Sequence, residues 1–487
     1  MASITTGTPS GNHVVAPGPY AIVFATSFGV FLTALDSSIV NVSLVTMASF
    51  FGVGIQQIQW VVTSYLVVLT SAMPLMGKLG DRIGKTGVFQ NGMLVFILGS
   101  FFCAMSTNLS VLVMARVFQS IGGSMMAANG LALVTHFTTV ENRGRAMGLS
   151  QIVLAAALGL GPVIGGILTQ HVGWQSIFLI NLPIGLIGYV IVRRMVPQTD
   201  QIDEVRFDIL GFLFLFGFLF LSVYVVSTLD WTSHDFSAAG SGALLSVALV
   251  LLLLFIFREK RFVSPLIPTR VVGDRGIASG LISAVLSYMC LIPVSFLMPF
   301  FLQEALGWSQ SQTGMFLTIH PLTISVTGPI AGLLSERIDA RTQTVGGLAL
   351  QLVGLASIAL FLSDIVLVAI GIVVMGFGLS TFSVANVNYI MTRSPRAYRG
   401  VVSALTNISR TAGFSMGTAL ASSLFGSYLS MLGYVSGDVL TYSHAVQLSM
   451  ISFCLLLVVS VFVTMLRVTN TMMDPVQVED GSGFASR

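Results

Sequence analysis

Between residues 20 and 467 the sequence runs as a succession of continuous apolar stretches, most of them about 20 residues or longer, separated by short polar connections. Crossing the hydrocarbon core of a bilayer takes roughly 20 apolar residues at 1.5 Å of rise each. In lipid no water satisfies a backbone N–H or C=O, so a spanning segment must close its own hydrogen bonds as a helix or join a closed barrel. Barrel strands would read as short alternating segments, whereas these runs are continuous, which makes the chain an all-α membrane protein. Composition agrees: charged residues are 8% of the 487 positions. A soluble domain averages about 25%, so these are too few to cover a water-facing surface of that size.

The apolar pattern predicts fourteen transmembrane helices, at roughly 20–43, 57–76, 88–106, 110–134, 145–169, 176–196, 208–228, 240–257, 277–302, 311–334, 343–362, 365–391, 401–431 and 445–467. Orientation follows from counting basic residues. Of 22 Lys and Arg, only Arg116 and Arg410 fall well inside predicted helices, and the rest lie at or beyond helix ends, in alternate connections or the C-terminal tail. The opposite connections hold Asp230, Asp235, Glu304, Asp364 and Asp438 and no base. Basic residues are retained on the cytoplasmic side, which predicts a multi-pass protein of the bacterial inner (cytoplasmic) membrane with both termini cytoplasmic. The first 20 residues are polar and lack the pattern of a cleavable signal.

An internal repeat divides the chain. Gly77-Lys78-Leu79-Gly80-Asp81-Arg82-Ile83 recurs 255 positions later as Gly332-Leu333-Leu334-Ser335-Glu336-Arg337-Ile338. Arg143-Gly144 and Gly161 recur as Arg399-Gly400 and Gly417, offset by 256. Near-equal offsets at two places imply duplicated halves, a common build for carriers whose substrate site lies between the repeats. The expected organisation is a tail (1–20), a six-helix bundle (21–196), a linker with two inserted helices (197–276), a second six-helix bundle (277–467) and a tail (468–487).

An ionisable side chain at the centre of a membrane helix costs roughly 2.5–3.5 kcal/mol and therefore needs a reason. Of 19 acidic residues only Asp36 lies well within a predicted helix. It stands about seven residues from the outer end of helix one, and Arg116 about six from that of helix four, so both lie roughly 9–10 Å below the outer boundary and are placed to pair. Burial favours a protonated carboxyl and a facing guanidinium favours the carboxylate, so a small rearrangement loads or releases a proton. A static ion pair that fixes helix register is the competing reading. Thr33, Ser37 and Asn41, spaced four apart, give helix one a polar stripe, and Gln119 continues from Arg116 at helical spacing. His320, Asn388 and Arg410 complete the substrate-cavity candidates. A packing histidine and an inter-helix brace are the alternatives for His320 and Arg410. Gly159, Gly161, Pro162, Gly165 and Gly166 mark close helix contact in helix five, with ordinary packing as the plain alternative. Gly77, Gly80, Asp81, Arg82, Gly84 and Lys85 form a short charged loop between helices two and three, a candidate gate.

Enzyme signatures do not stand out: there is no Walker-type phosphate loop, no nucleophile elbow and no clustered metal ligands, and Cys103, Cys290 and Cys454 lack ligand spacing. The expectation is a carrier without cofactor or metal, driven by an ion gradient or by its substrate's own gradient.

These motifs resemble the major facilitator superfamily, and more narrowly its 14-helix drug:proton antiporter family, over about residues 20–467. Gly77, Leu79, Gly80, Asp81, Arg82, Gly84, Lys85 and Thr86 resemble the superfamily's loop signature, with Lys85 where Arg is usual. Arg116, Gln119, Gly122 and Gly123 resemble the fourth-helix motif, with Ser120 where Gly is common, and Gly159 through Gly166 resemble the fifth-helix antiporter motif. Leu35-Asp36 with Ile39, Val40, Asn41 and Val42 resembles the first-helix motif of the 14-helix group, with Val45 where Pro is common. Trp174, Phe178, Asn181, Pro183 and Gly185 fit the start of its sixth helix, although Gln175 and Ser176 replace the usual Arg-Trp, and Phe207-Asp208 opens the inserted pair. The resemblance implies alternating access by rocking two halves, with Asp36 as the proton site and Arg116 assisting. It also implies that the Gly77–Lys85 loop stabilises one state and that Gly161–Gly166 controls the interface between halves.

The expected function is proton-coupled antiport that exports small lipophilic organic compounds or drugs, by a monomer in the lipid bilayer with no nucleic-acid partner. No carboxylate is buried in the second half on this reading, which suits neutral, weakly charged or zwitterionic substrates. The alternatives are an exporter dedicated to one metabolite (a siderophore, amino acid or peptide-like product), an uptake carrier, and a sensor that has lost transport. The short tail leaves no room for an output domain and disfavours the last.

Overall fold

The computed structural model describes residues 19–138, 140–199, 208–229, 238–262, 265–267, 269–394, 399–435 and 437–465. The two expected tails, apart from residues 19 and 20, and Phe207 lie outside the described residues. Fourteen long helical spans run through the described chain. Helices one to six are Pro19–Phe51, Trp60–Ile83 (after a short turn Ile55–Ile58), Lys85–Ala104, Leu109–Phe137, Val140–His171 and Asn181–Met195 (after Ser176–Leu179). The inserted pair, helices seven and eight, are Ile209–Thr228 and Ala238–Arg261. Helix nine starts at Arg275–Met289 and continues to Ala305 through two π-helical turns, Pro293–Leu297 and Phe301–Ala305. Helix ten is Gln310–Leu317 continued by Ile319–Ser335, and helices eleven to fourteen are Ala340–Leu360, Ile365–Arg393, Arg399–Met431 and Val439–Met465. Thirteen of these spans are long and apolar enough to cross a membrane. The other, Arg399–Met431, is 33 residues long and interrupted by Arg410 and many Ser, Thr and Gly.

Several helices outrun their apolar cores, because polar residues that emerge from hydrocarbon still close helical backbone bonds. Helix one reaches Phe51 rather than 43. Helix two runs through Gly77–Ile83, so most of the segment read as a loop is its last two turns, and only Gly84, at φ 94, breaks the path before Lys85 opens helix three. That conformation is open to glycine at little cost. Acids of the connections cap helix starts: Asp208 accepts from Gly211 N at 2.8 Å, Asp274 from Ile277 N at 2.8 Å and Asp364 from Val366 N at 2.9 Å. In helix nine Pro293 and Pro299 lack the N–H that an α-helical ladder needs, and the π turns lie beside them.

Both halves are built on the same close-packed helix pair. A Cβ at Gly99 of helix three would lie 2.5 Å from Gln119 Cα in helix four, and one at Gly122 would meet Phe96. In the second half a Cβ at Gly354 of helix eleven would lie 2.7 Å from Met375 Cα in helix twelve, and one at Gly347 2.5 Å from Phe382 N. Without a hydrophobic force between helices in lipid, such backbone approach supplies the van der Waals contact that holds them. The sequence repeat carries through: Gly92, Gly99 and Gly122 correspond to Gly347, Gly354 and Gly378, at offsets of 255, 255 and 256.

Hydrogen bonds joining the halves gather toward the end remote from the charged Gly77–Lys85 segment. Gln303 Nε2 donates to Val42 O at 3.1 Å, Ser311 N to Gln170 Oε1 at 3.1 Å, and Ser422 Oγ to Ile55 O at 3.2 Å. Gly166 abuts the Gln310 backbone and Gly426 abuts Gln56. These form two seams, helix five on helix ten and helix thirteen on helix two, related by the repeat offsets. Helix seven lies along the second seam. Its Leu215, Leu219 and Val223 share a buried cluster with Val67 of helix two and Ala419 of helix thirteen, and Trp60 meets Phe220 at 5.9 Å. At the other end of helix seven, Asp208 pairs with Arg258 of helix eight at 2.5 Å.

Candidate functional site

Helix one turns Asp36 into the first half, where it is fully buried. Arg116 Nη1 of helix four donates to its Oδ2 at 2.6 Å. Its Oδ1 accepts from Gln119 Nε2 at 2.9 Å and from Asn181 Nδ2, at the start of helix six, at 3.0 Å. The guanidinium is itself held: Nε donates to Val61 O at 3.0 Å, Nη1 also donates to Gln119 Oε1 at 2.6 Å, and the group lies 4.2 Å above the Tyr65 ring. Ser100 of helix three accepts from Gln119 Nε2 at 2.6 Å and Asn181 Nδ2 at 3.1 Å. Five helices thus converge on one carboxylate, whose oxygens have only donors around them. Such a pair is expensive to break, because losing either partner strands a buried charge at a cost of about 3–5 kcal/mol.

Beside this network lies a cavity of about 160 Å³ between the halves. Ser37, Asn41, Tyr65, Arg116, Leu158 and Pro162 line it from the first half, and Phe296, His320, Phe414 and Thr418 from the second. Leu158 and Pro162 correspond to Phe414 and Thr418 at the 256-residue offset, so the repeat frames the cavity on both sides. Asp36 is not among its walls; Arg116 stands between the cavity and the carboxylate.

Other expected cavity residues fall elsewhere. Thr33 is half-buried and donates to Gly29 O at 2.9 Å, one turn back along its own helix. Gln119 is buried behind Arg116 and engaged by the ion pair. Asn388 is exposed, because the buried face of helix twelve passes through Ala385, Asn386 and Ile390 instead. Arg410 is half-buried one turn from Phe414, toward the charged end, and is not a cavity wall. In the antiporter motif, Gly161 and Gly165 seat Ser38 and Ile39 of helix one, Gly166 seats Gln310 across the seam, and the Gly159 carbonyl accepts from Thr318 Oγ1 at 3.3 Å. Pro162 joins cavity and seam, since its carbonyl faces Gly314 of helix ten.

In the charged segment Asp81 and Lys85 form an ion pair one turn apart, both partly exposed. Gly80 packs on Asn129 of helix four, whose Nδ2 donates to Met76 O at 3.1 Å, which ties this end of helix two to helix four. Arg82 is solvent-facing on the same turn and Gly77 lies against Ala128. Besides Asp36, three carboxylates are buried among the described residues: Asp208, Glu259 and Asp274, the last of which caps helix nine and accepts from Arg393 Nε at 2.7 Å. Asp208 caps helix seven, and Glu259, in the last turn of helix eight, accepts from Leu266 N at 3.1 Å and Ile267 N at 2.9 Å. Glu259 and Asp274 sit in the polar run 258–276 that reads as linker, and Asp208 is the first residue of predicted helix seven. The second half's acids, Glu304, Glu336, Asp339, Asp364 and Asp438, are all exposed.

The family profile described as the Major Facilitator Superfamily matches residues 26–418, with a second match over 280–479. The riboflavin transporter RibZ of Clostridioides difficile is 34% identical over 414 residues, 84% of this chain and 89% of that protein. The tetracenomycin C resistance and export protein of Streptomyces glaucescens is 29% identical over 440 residues, 88% of this chain and 80% of that one. Among solved structures, a bacterial homolog of the human lysosomal transporter Spinster, inward-facing and unoccupied, superposes with a TM-score of 0.67 over 92% of this chain and 97% of that chain. At 12% identity that likeness is one of fold.

Proposed function

The chain belongs to the Major Facilitator Superfamily, in its multidrug-resistance-type group, and we propose that it is a proton-coupled antiporter exporting small lipophilic organic compounds or drugs by alternating access. It is a multi-pass bacterial membrane protein that moves small organic molecules. The observation that carries the finer reading is the fully buried Asp36 behind the inter-half cavity, held by Arg116 at 2.6 Å. A carboxylate kept out of water, yet one side chain from the substrate's space, is suited to exchange a proton for a substrate.

In this scheme residues 21–196 and 277–467 rock about the cavity while 197–276 link them. The charged connections and both termini face the cytoplasm. The halves are joined toward the outer side, the arrangement from which substrate loads from the cytoplasm. Arg116 holds Asp36 charged until a proton arrives, and the neutral carboxyl then releases the guanidinium. The Gly77–Lys85 segment stabilises this state, and the Gly161–Gly166 stretch governs the seam with helix ten. Ser37, Asn41 and His320 offer polar contacts in a largely apolar cavity. With no acid on its walls, the cavity suits neutral, weakly charged or zwitterionic cargo. The protein is expected to act as a monomer.

A carrier dedicated to one metabolite is the second reading, and the riboflavin transporter among the relatives favours it. One experiment addresses both: proton flux evoked by a panel of drugs, riboflavin and other metabolites in proteoliposomes, wild type against Asp36→Asn. Flux that vanishes in the variant, at least a ~100-fold loss, supports antiport, as removal of a proton-transfer group commonly costs 10²–10⁴-fold. Full gradient-driven transport by Asp36→Asn would sink the role given to Asp36. A response to one compound alone would select the dedicated carrier.

A further inference from the structure

Two side-chain amides donate to the same oxygen of Asp36, and they are not equivalent. Gln119 is locked: its Oε1 accepts from Arg116 Nη1 at 2.6 Å, so turning the amide over would aim its NH2 at a guanidinium. Asn181 is not. Its Nδ2 donates to Asp36 Oδ1 at 3.0 Å and Ser100 Oγ at 3.1 Å, while its Oδ1 is buried with no hydrogen-bond partner. The residue is fully buried. An orphaned acceptor in a dry interior is costly and calls for a reason.

We propose that Asn181 is a positioning residue whose amide turns over when Asp36 gains a proton. This inference rests on the reading of Asp36 as the proton site. With Asp36 charged, the carboxylate needs donors and Asn181 presents its NH2, as observed. When a proton adds to Oδ1, the carboxyl becomes a donor and needs an acceptor. A half-turn of the Asn181 amide brings its Oδ1 to that O–H and to the Ser100 hydroxyl, which can then donate. Two hydrogen bonds exist before and two after, no covalent bond changes beyond the added O–H, and one orphaned amide atom is exchanged for another. Both protonation states of Asp36 are thereby bonded on the helix-six side, while the contact with Arg116 weakens in the neutral state. Protonation then turns over the Asn181 amide and the Ser100 hydroxyl and weakens the Arg116 contact, while Gln119, held by Arg116, keeps its orientation. The other titratable groups facing this site are Tyr65 of helix two and Cys103 of helix three; helices five and six bring none to that level.

The test is infrared difference spectroscopy of the full chain in lipid, isotope-labelled at the asparagine side-chain carbonyl and titrated across pH. A carboxylic C=O band that titrates and is absent in Asp36→Asn reports the proton. The expected result is an asparagine carbonyl band that moves with the same midpoint and is lost in Asn181→Ser. In that variant substrate-driven proton exchange should slow about tenfold, with substrate affinity changed less than about twofold, the scale of one charge-assisted hydrogen bond lost from one state. If the carboxylic band titrates and the asparagine band stays still, Asn181 is a fixed donor and the inference is wrong. If no carboxylic band belongs to Asp36, the proton reading falls and takes this inference with it.

Discussion

Helices three and four of the first half and helices eleven and twelve of the second pack alike through glycines at matching positions, yet their interiors differ in kind. At the offset that carries Gly122 to Gly378, Arg116 becomes Ile372 and Gln119 becomes Met375, all four buried. The first half spends its packed interior on a five-helix polar network around a carboxylate. The second fills the same space with hydrocarbon and neutral links such as Ser287 to Gln351 at 2.8 Å, and an ion pair, Arg393 with Asp274 at 2.7 Å, lies at the start of helix nine instead. The two scaffolds are alike, and among the described residues only the first carries a charged pair in its packed core. A second such pair in the packed core would add insertion cost.

Making the first half like the second should have the largest effect. Arg116→Ile strands Asp36 and is expected to lose about 3–5 kcal/mol of stability along with transport. Adding Asp36→Leu should restore most of that stability but no proton-driven transport, as read by thermal unfolding in detergent and flux in proteoliposomes. A stable, active Arg116→Ile protein would dissolve the distinction between the halves. Next come the shared glycines. Gly99→Ala and Gly354→Ala each force a methyl against a neighbouring backbone and should cost about 1–3 kcal/mol alike. Only Gly99→Ala pushes on Gln119, so it alone should reduce transport beyond its loss of stability; equal functional loss in both would mean the scaffold, not the network, is being measured. The smallest effect belongs to the charged repeats. Asp81 has the Lys85 ion pair, whereas Glu336 has none among the described residues. Asp81→Asn should change stability by less than about 1 kcal/mol, because the pair is partly exposed. It should lower turnover several-fold with affinity kept, and Glu336→Gln should do less. A fall in affinity alone would remove the gating role.

Charge in lipid is so rare that Asp36 and Arg116 could be read from the sequence, and their pairing with them. Depth was less legible. Helix one was expected to end near 43, which set Asp36 close to the outer boundary, but it runs on to Phe51 and leaves Asp36 about 22 Å from that end at 1.5 Å per residue. Hydropathy marks where lipid stops and not where the helix stops. The same cause turned most of Gly77–Lys85 from loop into helix. Asn388 and Arg410 show another limit: a polar residue at mid-helix can lie on a face other than the cavity's, and rotation about the axis is set by packing. Asn181 stands in the segment that resembles the start of the sixth helix, but its link to Asp36, 145 positions away, comes from the arrangement of helix six against helix one, which that local pattern does not announce.

Helix thirteen alone among the fourteen is not apolar enough to count as a membrane span by composition, though it forms one cavity wall and a whole seam. During synthesis, a segment carrying Arg410 and so many hydroxyls gains little by leaving the translocon for bare lipid. Its natural solvent is protein: helices two, seven and nine, which were made before it, and helix fourteen, which follows. Insertion of this cavity wall is therefore expected to depend on helices two, seven and nine already being in place.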